Sequence, residues 1–123
     1  MSVPREYHID PEIKFQPLEV IDIPAVIASC RERWQNKTLC RVNSSVVRLG
    51  VIQGEFHWHK HEDGDEFFFV LEGRLSIDLE GKTVSLEPRQ GFTVPRGVLH
   101  RTRAPQRTAI MMVERETIKP TGD

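Results

Sequence analysis

Three histidines and one glutamate have the residue types and spacing to bind one divalent metal ion. His59, His61 and Glu66 lie close together in the chain, and His100 follows a turn that contains Pro95. Imidazole and carboxylate groups suit zinc, iron, nickel, copper or manganese better than calcium or magnesium. Side chains two residues apart leave a strand on the same face, about 6–7 Å apart. His59 and His61 therefore converge if their segment is extended, although such a pair also suits a polar strand face exposed to water.

His57 is a further candidate for this site. It shares strand parity with His59 and His61, so its side chain is expected on the same face. There it would act as a general base, as a donor to a metal ligand, or as a spare ligand. The alternative is a polar group at the barrel rim that is hydrogen-bonded to water, and the sequence does not choose between these roles.

Several arginines crowd around His100 and suggest an anionic substrate. Arg101 and Arg103 alternate with His100, so in a strand their side chains point away from the site. Arg96 lies in the turn after Pro95 and is the best candidate for a substrate contact. For the group as a whole, a solvated charged surface is the stronger expectation.

The composition bounds the class of protein. The chain has 123 residues, of which 38% are hydrophobic and 28% charged, with a net charge of −1; this suits a single domain. No strong positive field is available to bind phosphates, so nucleic acid is not expected as a partner. No apolar run reaches the ~18–20 residues of a membrane span, and the first residues lack an apolar signal segment. We therefore expect a cytoplasmic protein without a membrane partner, in which Cys30 and Cys40 are reduced thiols.

Before the strands, the sequence predicts an irregular segment and one helix. Prolines interrupt residues 1–22, so no regular element is expected there. Asp22 or Ile23 is the expected helix cap, and Pro24 falls in the first turn. An apolar stripe at helical spacing predicts a helix that runs from Pro24 to Trp34.

From about Thr38 onward, the sequence indicates strands only. Short runs of β-branched and aromatic residues, separated by glycine and proline turns, predict an antiparallel sandwich or barrel. The predicted strands cover residues 45–52, 66–71, 74–79, 82–86, 91–94, 98–103 and 107–114. The residues after Glu116 are polar and are expected to fray.

The strand at residues 66–71 is apolar on both faces. Phe67, Phe69 and Leu71 share one face, and the residues between them share the other. One small barrel buries only its inner face, so the outer face requires a cover. The N-terminal segment or a second subunit would provide it, and a two-fold homodimer is the favoured expectation.

The metal-ligand candidates and their flanking glycines resemble the two sequence motifs of the cupin superfamily. The first motif, a glycine, a His-x-His pair, a glutamate and a second glycine, is matched by Gly54, His59, His61, Glu66 and Gly73. The second motif, a glycine followed by Pro-x-Gly-x-x-His, is matched by Gly91, Pro95, Gly97 and His100. The spacing from Gly54 to His59 and the spacing from Gly91 to Pro95 are both shorter than is usual in the family. Ala104 stands where the family often has asparagine. The match covers about residues 45–113.

The resemblance implies an all-β fold, a double-stranded β-helix or jelly-roll barrel, which would follow the short N-terminal helix. The expected organisation is an N-terminal segment with the helix, the barrel and a polar tail, at residues 1–37, 38–116 and 117–123. The resemblance also implies one divalent transition metal, Fe, Mn, Ni or Zn, inside the barrel. Its ligands would be His59, His61, Glu66 and His100.

An open metal site in an apolar cavity suits a small-molecule enzyme. Four protein ligands on a six-coordinate ion would leave two positions open, as a catalytic site requires. The cavity would be mostly apolar, because its expected inward residues are Phe68, Val70, Phe92, Val94 and Thr102. The leading hypothesis is a metal-dependent enzyme of dioxygenase or isomerase type that acts on a small oxygen-rich molecule. The alternatives are a non-catalytic module that binds metal and a small ligand, and an interaction protein with an empty barrel; fold analogy does not choose between them.

Overall fold

The computed structural model describes residues 7–122, and within them the chain forms eight strands and one helix. The elements in chain order are β1 (Tyr7–Ile13), α1 (Ile23–Ser29), β2 (Trp34–Val42), β3 (Ser45–Glu55), β4 (Glu66–Glu72), β5 (Leu75–Leu79), β6 (Lys82–Leu86), β7 (Gly91–Val94) and β8 (His100–Arg115). The predicted all-β jelly-roll barrel with a short N-terminal helix is confirmed.

The long strand β8 connects the two halves of the barrel. One edge of β8 pairs with β3, which is continued by β2 and then β1. The other edge pairs with β5 near His100 and with β4 further along the strand. Because β4 begins at Glu66, this double pairing places the Glu66 strand and the start of β8 in the same barrel.

The sequence predicted two strands where the structure has the single strand β8. Pro105 lies between the two predicted strands, at a point where the pairing of β3 with β8 shifts. Ile52 is opposite Thr108 and Gly54 is opposite Ala104, so β8 carries extra residues between these pairs. Such a bulge tolerates proline, which has no N–H to offer a neighbouring strand. The separation into two strands was therefore wrong.

An additional strand lies in residues that were expected to be irregular. Strand β1 pairs in parallel with β2, and Tyr7 is opposite Trp34. The expectation for residues 1–22 is wrong over β1, while residues 1–6 lie outside the described part of the chain. Parallel pairing joins segments that are distant in sequence, so it leaves little local signal.

The helix is shorter than predicted. Asp22 caps α1 as expected, since its carboxylate accepts a hydrogen bond from the backbone N–H of Ala25 at 3.4 Å. The helix ends at Ser29, and Trp34 begins β2 instead of continuing the helix. Within residues 7–122, no helix combines the length and apolar character that a membrane crossing requires.

Apolar side chains pack in two layers, one inside the barrel and one outside it. The inner layer includes Trp34, Phe56 and Phe68. The outer layer, in which α1 packs against the sheet, contains Cys30, Leu39, Leu49, Val51 and Ala109, with Val26, Ile27 and Leu71 at its border. The N-terminal segment therefore covers part of the outer face of β4, whereas Phe67 on the same face keeps 37% of its surface exposed.

The residues after Glu116 pack onto the barrel through Gly122, so the expectation that they fray is wrong for these residues. Ile118 is only 2% exposed, and its carbonyl accepts a hydrogen bond from the buried Arg48 at 3.3 Å. The hydroxyl of Thr117 donates to the carboxylate of Asp63. One apolar and two polar contacts thus hold this segment in place.

Candidate metal centre

Two extended segments carry the four candidate ligands to one place. His59 and His100 face each other in a β-bridge, in which each backbone N–H donates to the other residue's carbonyl at 2.9 Å. The carbonyl of His61 accepts from the backbone N–H of Gly97 at 2.8 Å, and Glu66 begins β4. One potential ligand atom from each of the four side chains lies within 4.8 Å of the others. The structure therefore brings together the group that the sequence predicted.

The donor atoms of this cluster fit a metal ion. Nε2 of His61 and Nε2 of His100 lie 3.1 Å and 3.6 Å from Oε1 of Glu66. Ligand atoms bound about 2.1 Å from one transition metal lie about 3–4 Å from one another. In the described chain, none of these three buried atoms makes a hydrogen bond of normal geometry. Buried polar atoms rarely remain without a partner, so a cation is the partner that suits them.

Hydrogen bonds orient two of the imidazole rings. Nδ1 of His59 lies 3.0 Å from the carbonyl of His57, and Nδ1 of His100 lies 2.9 Å from the carbonyl of Val98. A carbonyl can only accept, so each Nδ1 carries the proton and each Nε2 keeps its lone pair. This is the tautomer that metal-binding histidines adopt when a backbone acceptor fixes the ring.

The electrostatics of the cluster favour a cation. Burial, followed by the charge of the neighbouring His100, lowers the pKa of His59 to about 4. Burial by itself would raise the pKa of Glu66, but interactions with His100 and His61 outweigh it and hold that pKa well below its usual range. At neutral pH His59 is therefore neutral and Glu66 is ionised, which are the forms that bind a metal.

A second buried carboxylate lies beside this cluster and was missed in the sequence. Glu114 is opposite Glu66 in the pairing of β4 with β8, and its side chain is fully buried 3.3 Å from Nε of Arg48. Burial, followed by the charge of Glu66, raises the pKa of Glu114 above its usual range. Arg48 also donates to the hydroxyl of Thr38 at 2.5 Å. The alternation of inward and outward residues along β8 was the available signal for an inward Glu114, but only the fold shows that Arg48 meets it.

A narrow apolar cavity leads to the cluster. His59 and Glu66 line it together with the aromatic rings of Trp34, Phe56 and Phe68, and the rings of Trp34 and Phe56 stack with their centroids 5.4 Å apart. About 30 Å³ is open to the centre of a water molecule, which is room for about two waters. The cavity in this conformation therefore suits a small ligand or one end of a larger one.

The predicted inward face is partly correct. Phe68 and Thr102 line the cavity. Val70 and Val94 are buried in the inner core, and Phe92 packs against that core while partly exposed. The sequence missed the contributions to the cavity wall from Ile9, Trp34, Asn36 and Pro120. Burial alternates along β2 from Trp34. The next inward residues, Asn36 and Thr38, are polar, so the sequence shows no apolar alternation there, and Trp34 also fitted the helical stripe.

His57 lies beside the cluster and not in the cavity wall that the described residues form. Its ring centroid is 5.4 Å from that of His59 and 4.2 Å from that of Phe56. Its Nε2 lies 2.6 Å from the carbonyl of Thr121, so Nε2 donates the proton and Nδ1 is left as an acceptor. The C-terminal residues therefore hold His57 close to the candidate ligands.

The arginines are arranged as strand parity predicted. Arg101 and Arg103 lie on the outer face and donate to the carboxylate of Asp78 at 2.7 Å and 2.6 Å. Arg96 is exposed in its turn, with its backbone N–H bonded to Asp65 at 2.9 Å, and it does not contribute to the described cavity wall. Nothing in this geometry connects these arginines with a ligand in the cavity.

The family comparison agrees with this geometry. Residues 46–114 match the sequence model of the cupin domain. The chain belongs to the cupin family. The match spans β4, β5, β6 and β7 with most of β3 and β8, and it contains all four candidate ligands.

Relatives of this cupin include proteins of several bacteria. Over 91 residues it is 42% identical to "Uncharacterized protein YdbB" of Bacillus subtilis (strain 168), which covers 73% of this chain and 80% of that protein. A solved cupin-2 domain protein from Shewanella frigidimarina NCIMB 400 is 30% identical with a TM-score of 0.75, over 78% of this chain and 94% of that one. A stretch of 45 residues is 44% identical to "Polyketide synthase CurC" of Streptomyces cyaneus, covering 37% of this chain but only 29% of that protein.

Proposed function

We propose that this cupin is a metal-dependent enzyme of dioxygenase or isomerase type, acting on a small oxygen-rich organic molecule. The observation that carries the proposal is the convergence of His59, His61, Glu66 and His100, with unpaired buried donor atoms, at an apolar cavity. These four residues would hold one divalent ion, Fe, Mn, Ni or Zn, which suit imidazole and carboxylate ligands.

The charge of the cluster supports an oxygen-containing ligand. Glu66 supplies one negative charge, so a divalent ion held there would leave a net positive site that attracts an anionic or chelating oxygen. When bound, such an ion would polarise a carbonyl, acidify water or, if it were iron, supply redox chemistry. The apolar walls would exclude bulk water and orient the rest of the molecule.

His57 is the proposed proton-handling residue. The carbonyl of Thr121 accepts a hydrogen bond from Nε2–H, so the lone pair of Nδ1 would be available to accept a proton. The proximity of the His57 and His59 rings supports a role next to the metal ligands. His57→Gln should therefore lower turnover while leaving metal content unchanged.

Elemental analysis of the purified protein, followed by a turnover screen, tests the proposal. Small hydroxy acids, oxo acids and β-diketones would be incubated with the metal-loaded protein, with oxygen uptake and proton NMR as readouts. We expect turnover that is lost with chelator and in Glu66→Gln but kept in Trp58→Ala, since Trp58 is 43% exposed on the outside. Metal and ligand binding without turnover would instead favour a non-catalytic binding module, and absence of any bound metal would contradict both.

One relative adds a substrate class to this screen. The resemblance to "Polyketide synthase CurC" is confined to 45 residues, so it does not carry an activity. A polyketide is nevertheless an oxygen-rich molecule of the kind that the proposed centre would chelate. The β-diketones in the screen represent this class.

We propose in addition that the protein is a two-fold homodimer formed through the outer face of β4. The ring of Phe67 is 37% exposed and stacks with Phe69, with centroids 6.4 Å apart. An isologous contact would allow this patch to cover its own copy. Light scattering should give a dimer for the wild type and for Val42→Asp, a control at another exposed apolar side chain, and a monomer or aggregate for Phe67→Asp. A monomeric wild type at micromolar concentration would contradict the proposal.

A cytoplasmic location completes the proposal. Cys30 and Cys40 are both free thiols, the first of them buried. Unpaired cysteines are typical of a reducing compartment. Fractionation of the native host with an antibody against the protein would test the location.

A further inference from the structure

Asn36 stands out on the inner face of β2. The inward side chains of this strand include Trp34, Asn36 and Thr38, all of which are buried. Asn36 is 8% exposed, and its strand neighbours are Ile9 on β1 and Gly50 on β3. A polar amide is therefore enclosed at a position where apolar residues surround it on both sides.

The Oδ1 atom of Asn36 has no hydrogen-bond partner among residues 7–122. The next inward polar residue, Thr38, differs in this respect. The hydroxyl of Thr38 donates to the carbonyl of Asp10 at 3.1 Å and accepts from Arg48 at 2.5 Å. An unpaired buried acceptor lowers the stability of a fold, because it loses its hydrogen bonds to water without replacement. Thr38 is thus integrated in the fold, whereas Asn36 is not explained by it.

Asn36 lines the same cavity as His59 and Glu66. The residue opposite it, Gly50, also lines the cavity and has no side chain to fill the space beside the amide. A Cβ atom at Gly50 would lie 3.1 Å from Ile110 and 3.2 Å from Met112, so the cavity is tight here. A ligand in this cavity therefore has Asn36 in the same wall as His59 and Glu66.

We propose that Asn36 is a ligand-binding residue that accepts a hydrogen bond from a hydroxyl or N–H group of the same molecule whose oxygen binds the metal. This inference rests on the proposed metal centre and specifies its ligand class. The molecule is short, with an anionic or chelating oxygen at one end, a hydrogen-bond donor at the other and an apolar link between them. The link would lie against the apolar part of the cavity wall, which includes Trp34, Ile52 and Phe68.

Matched pairs of small acids test this assignment on protein loaded with Co²⁺, whose absorption reports metal binding directly. The probes are 3-hydroxypropanoate against butanoate, and 4-hydroxybutanoate against pentanoate, which differ by a hydroxyl in place of a methyl group. We expect one hydroxy acid to bind the wild type about tenfold more tightly than its partner, because a site built around an unpaired acceptor discriminates against the analogue without a donor. In Asn36→Leu, which keeps the branching and the number of side-chain heavy atoms, the ratio should fall to about one.

A stability measurement on the metal-free protein provides a second readout. Asn36→Leu removes the unpaired acceptor, so its thermal unfolding midpoint should equal or exceed that of the wild type. The matched control is Thr38→Val on the same face of β2, which loses two hydrogen bonds and should unfold at a lower temperature. If the unfolding midpoint fell as far in Asn36→Leu as in Thr38→Val, Asn36 would have a structural role and the proposal would be overturned.

The outcomes separate this inference from the function on which it rests. A wild type that shows no Co²⁺ absorption overturns the metal centre, and the two-point binding mode with it. If the protein binds Co²⁺ but the wild type and Asn36→Leu prefer the hydroxy acid over its methyl analogue by the same ratio of affinities, only the role of Asn36 is overturned. Absence of a preference for either hydroxy acid in the wild type has the same meaning, since water would then satisfy the amide.

Discussion

Glu66 and Asp78 are two buried carboxylates whose pKa values both lie below the usual range, but they obtain their positive neighbours differently. Asp78 accepts hydrogen bonds from Arg101, Arg103 and Thr83 at 2.6–2.9 Å. Arg103 is the largest cause of its lowered pKa. The positive neighbours of Glu66 are imidazole groups, the carboxyl group of Glu114 lies opposite it, and its Oε1 has no hydrogen bond of normal geometry within the described residues.

The difference separates a structural cluster from a candidate binding site. Around Asp78 the chain supplies permanent cations, so that carboxylate is satisfied at every pH at which it is ionised. Around Glu66 the chain supplies imidazoles, which are neutral when they bind metal, so in the proposed centre the positive charge would come from a bound ion. The comparison predicts that substitutions at the two sites affect different measurements.

The largest effect is expected on metal affinity. His100→Ala removes one of four ligands and should weaken Co²⁺ binding by more than about 100-fold, the upper range for loss of a residue that only supports a ligand. Titration followed by visible absorption would measure it. Asp78→Asn is the matched control and should bind Co²⁺ like the wild type. Equal losses of Co²⁺ affinity in His100→Ala and Asp78→Asn would contradict the distinction between the two clusters.

Metal should also stabilise the fold. An ion that binds only the folded state raises the free energy of unfolding by about 2.7 kcal/mol when its free concentration is a hundredfold above Kd. Thermal unfolding with and without chelator should show this gain in the wild type and in Trp58→Ala, and most of it should disappear in His100→Ala. An unchanged midpoint in wild type from which metal has demonstrably been removed would mean that the centre contributes little to stability.

The cluster of Asp78 with Arg101, Arg103 and Thr83 should contribute to stability in the absence of metal. Asp78→Asn should lower the free energy of unfolding by about 1–2 kcal/mol, because charge-assisted hydrogen bonds to two arginines are lost. Since the folded pKa of Asp78 is lowered from 3.8, this contribution is complete above that value and is lost as the pH falls through the folded pKa. Urea unfolding should therefore show a constant gap between variant and wild type from pH 7 to pH 5. A gap that shrinks within this range would show that the arginines do not hold the pKa down.

The smallest effect is expected from the neutral donor to the same carboxylate. Thr83 donates to Oδ1 of Asp78 at 2.7 Å, and Thr83→Val should cost about 0.5–1.5 kcal/mol, as for an ordinary hydrogen bond. When Asp78 is already replaced by asparagine, urea unfolding should show that Thr83→Val lowers the free energy of unfolding by less. Additive losses would indicate that Thr83 acts independently of Asp78.

The motif residues allowed the fold and the grouping of His59, His61, Glu66 and His100 to be predicted, because the local spacing within each motif resembles that of the cupins, and that resemblance implies a fold in which the two motifs meet. Alternation identified the strand faces, and it correctly placed Arg101 outside. The errors arose where local patterns conflict. Trp34 fits both a helical stripe and an alternating strand, and Pro105 marks a bulge that resembles a strand end.

Contacts between distant segments outside the two motifs were not predictable. The parallel pairing of β1 with β2, the meeting of Arg48 with Glu114 and the packing of Ile118 each depend on where the folded chain brings remote residues. The unpaired amide of Asn36 belongs to the same class, since its surroundings come from β1, β3 and the barrel interior. The sequence alone gives residue types for these positions but not their neighbours.

The packing of the C-terminal residues against His59 affects how the protein should be prepared. A Cβ atom at Gly122 would lie 2.8 Å from Cβ of His59, and Pro120 forms part of the cavity wall. An affinity tag of histidines appended after Asp123 would therefore place additional imidazoles near the proposed ligands, where they would compete for the ion and distort both metal stoichiometry and absorption spectra. A cleavable tag without histidine would keep such measurements interpretable.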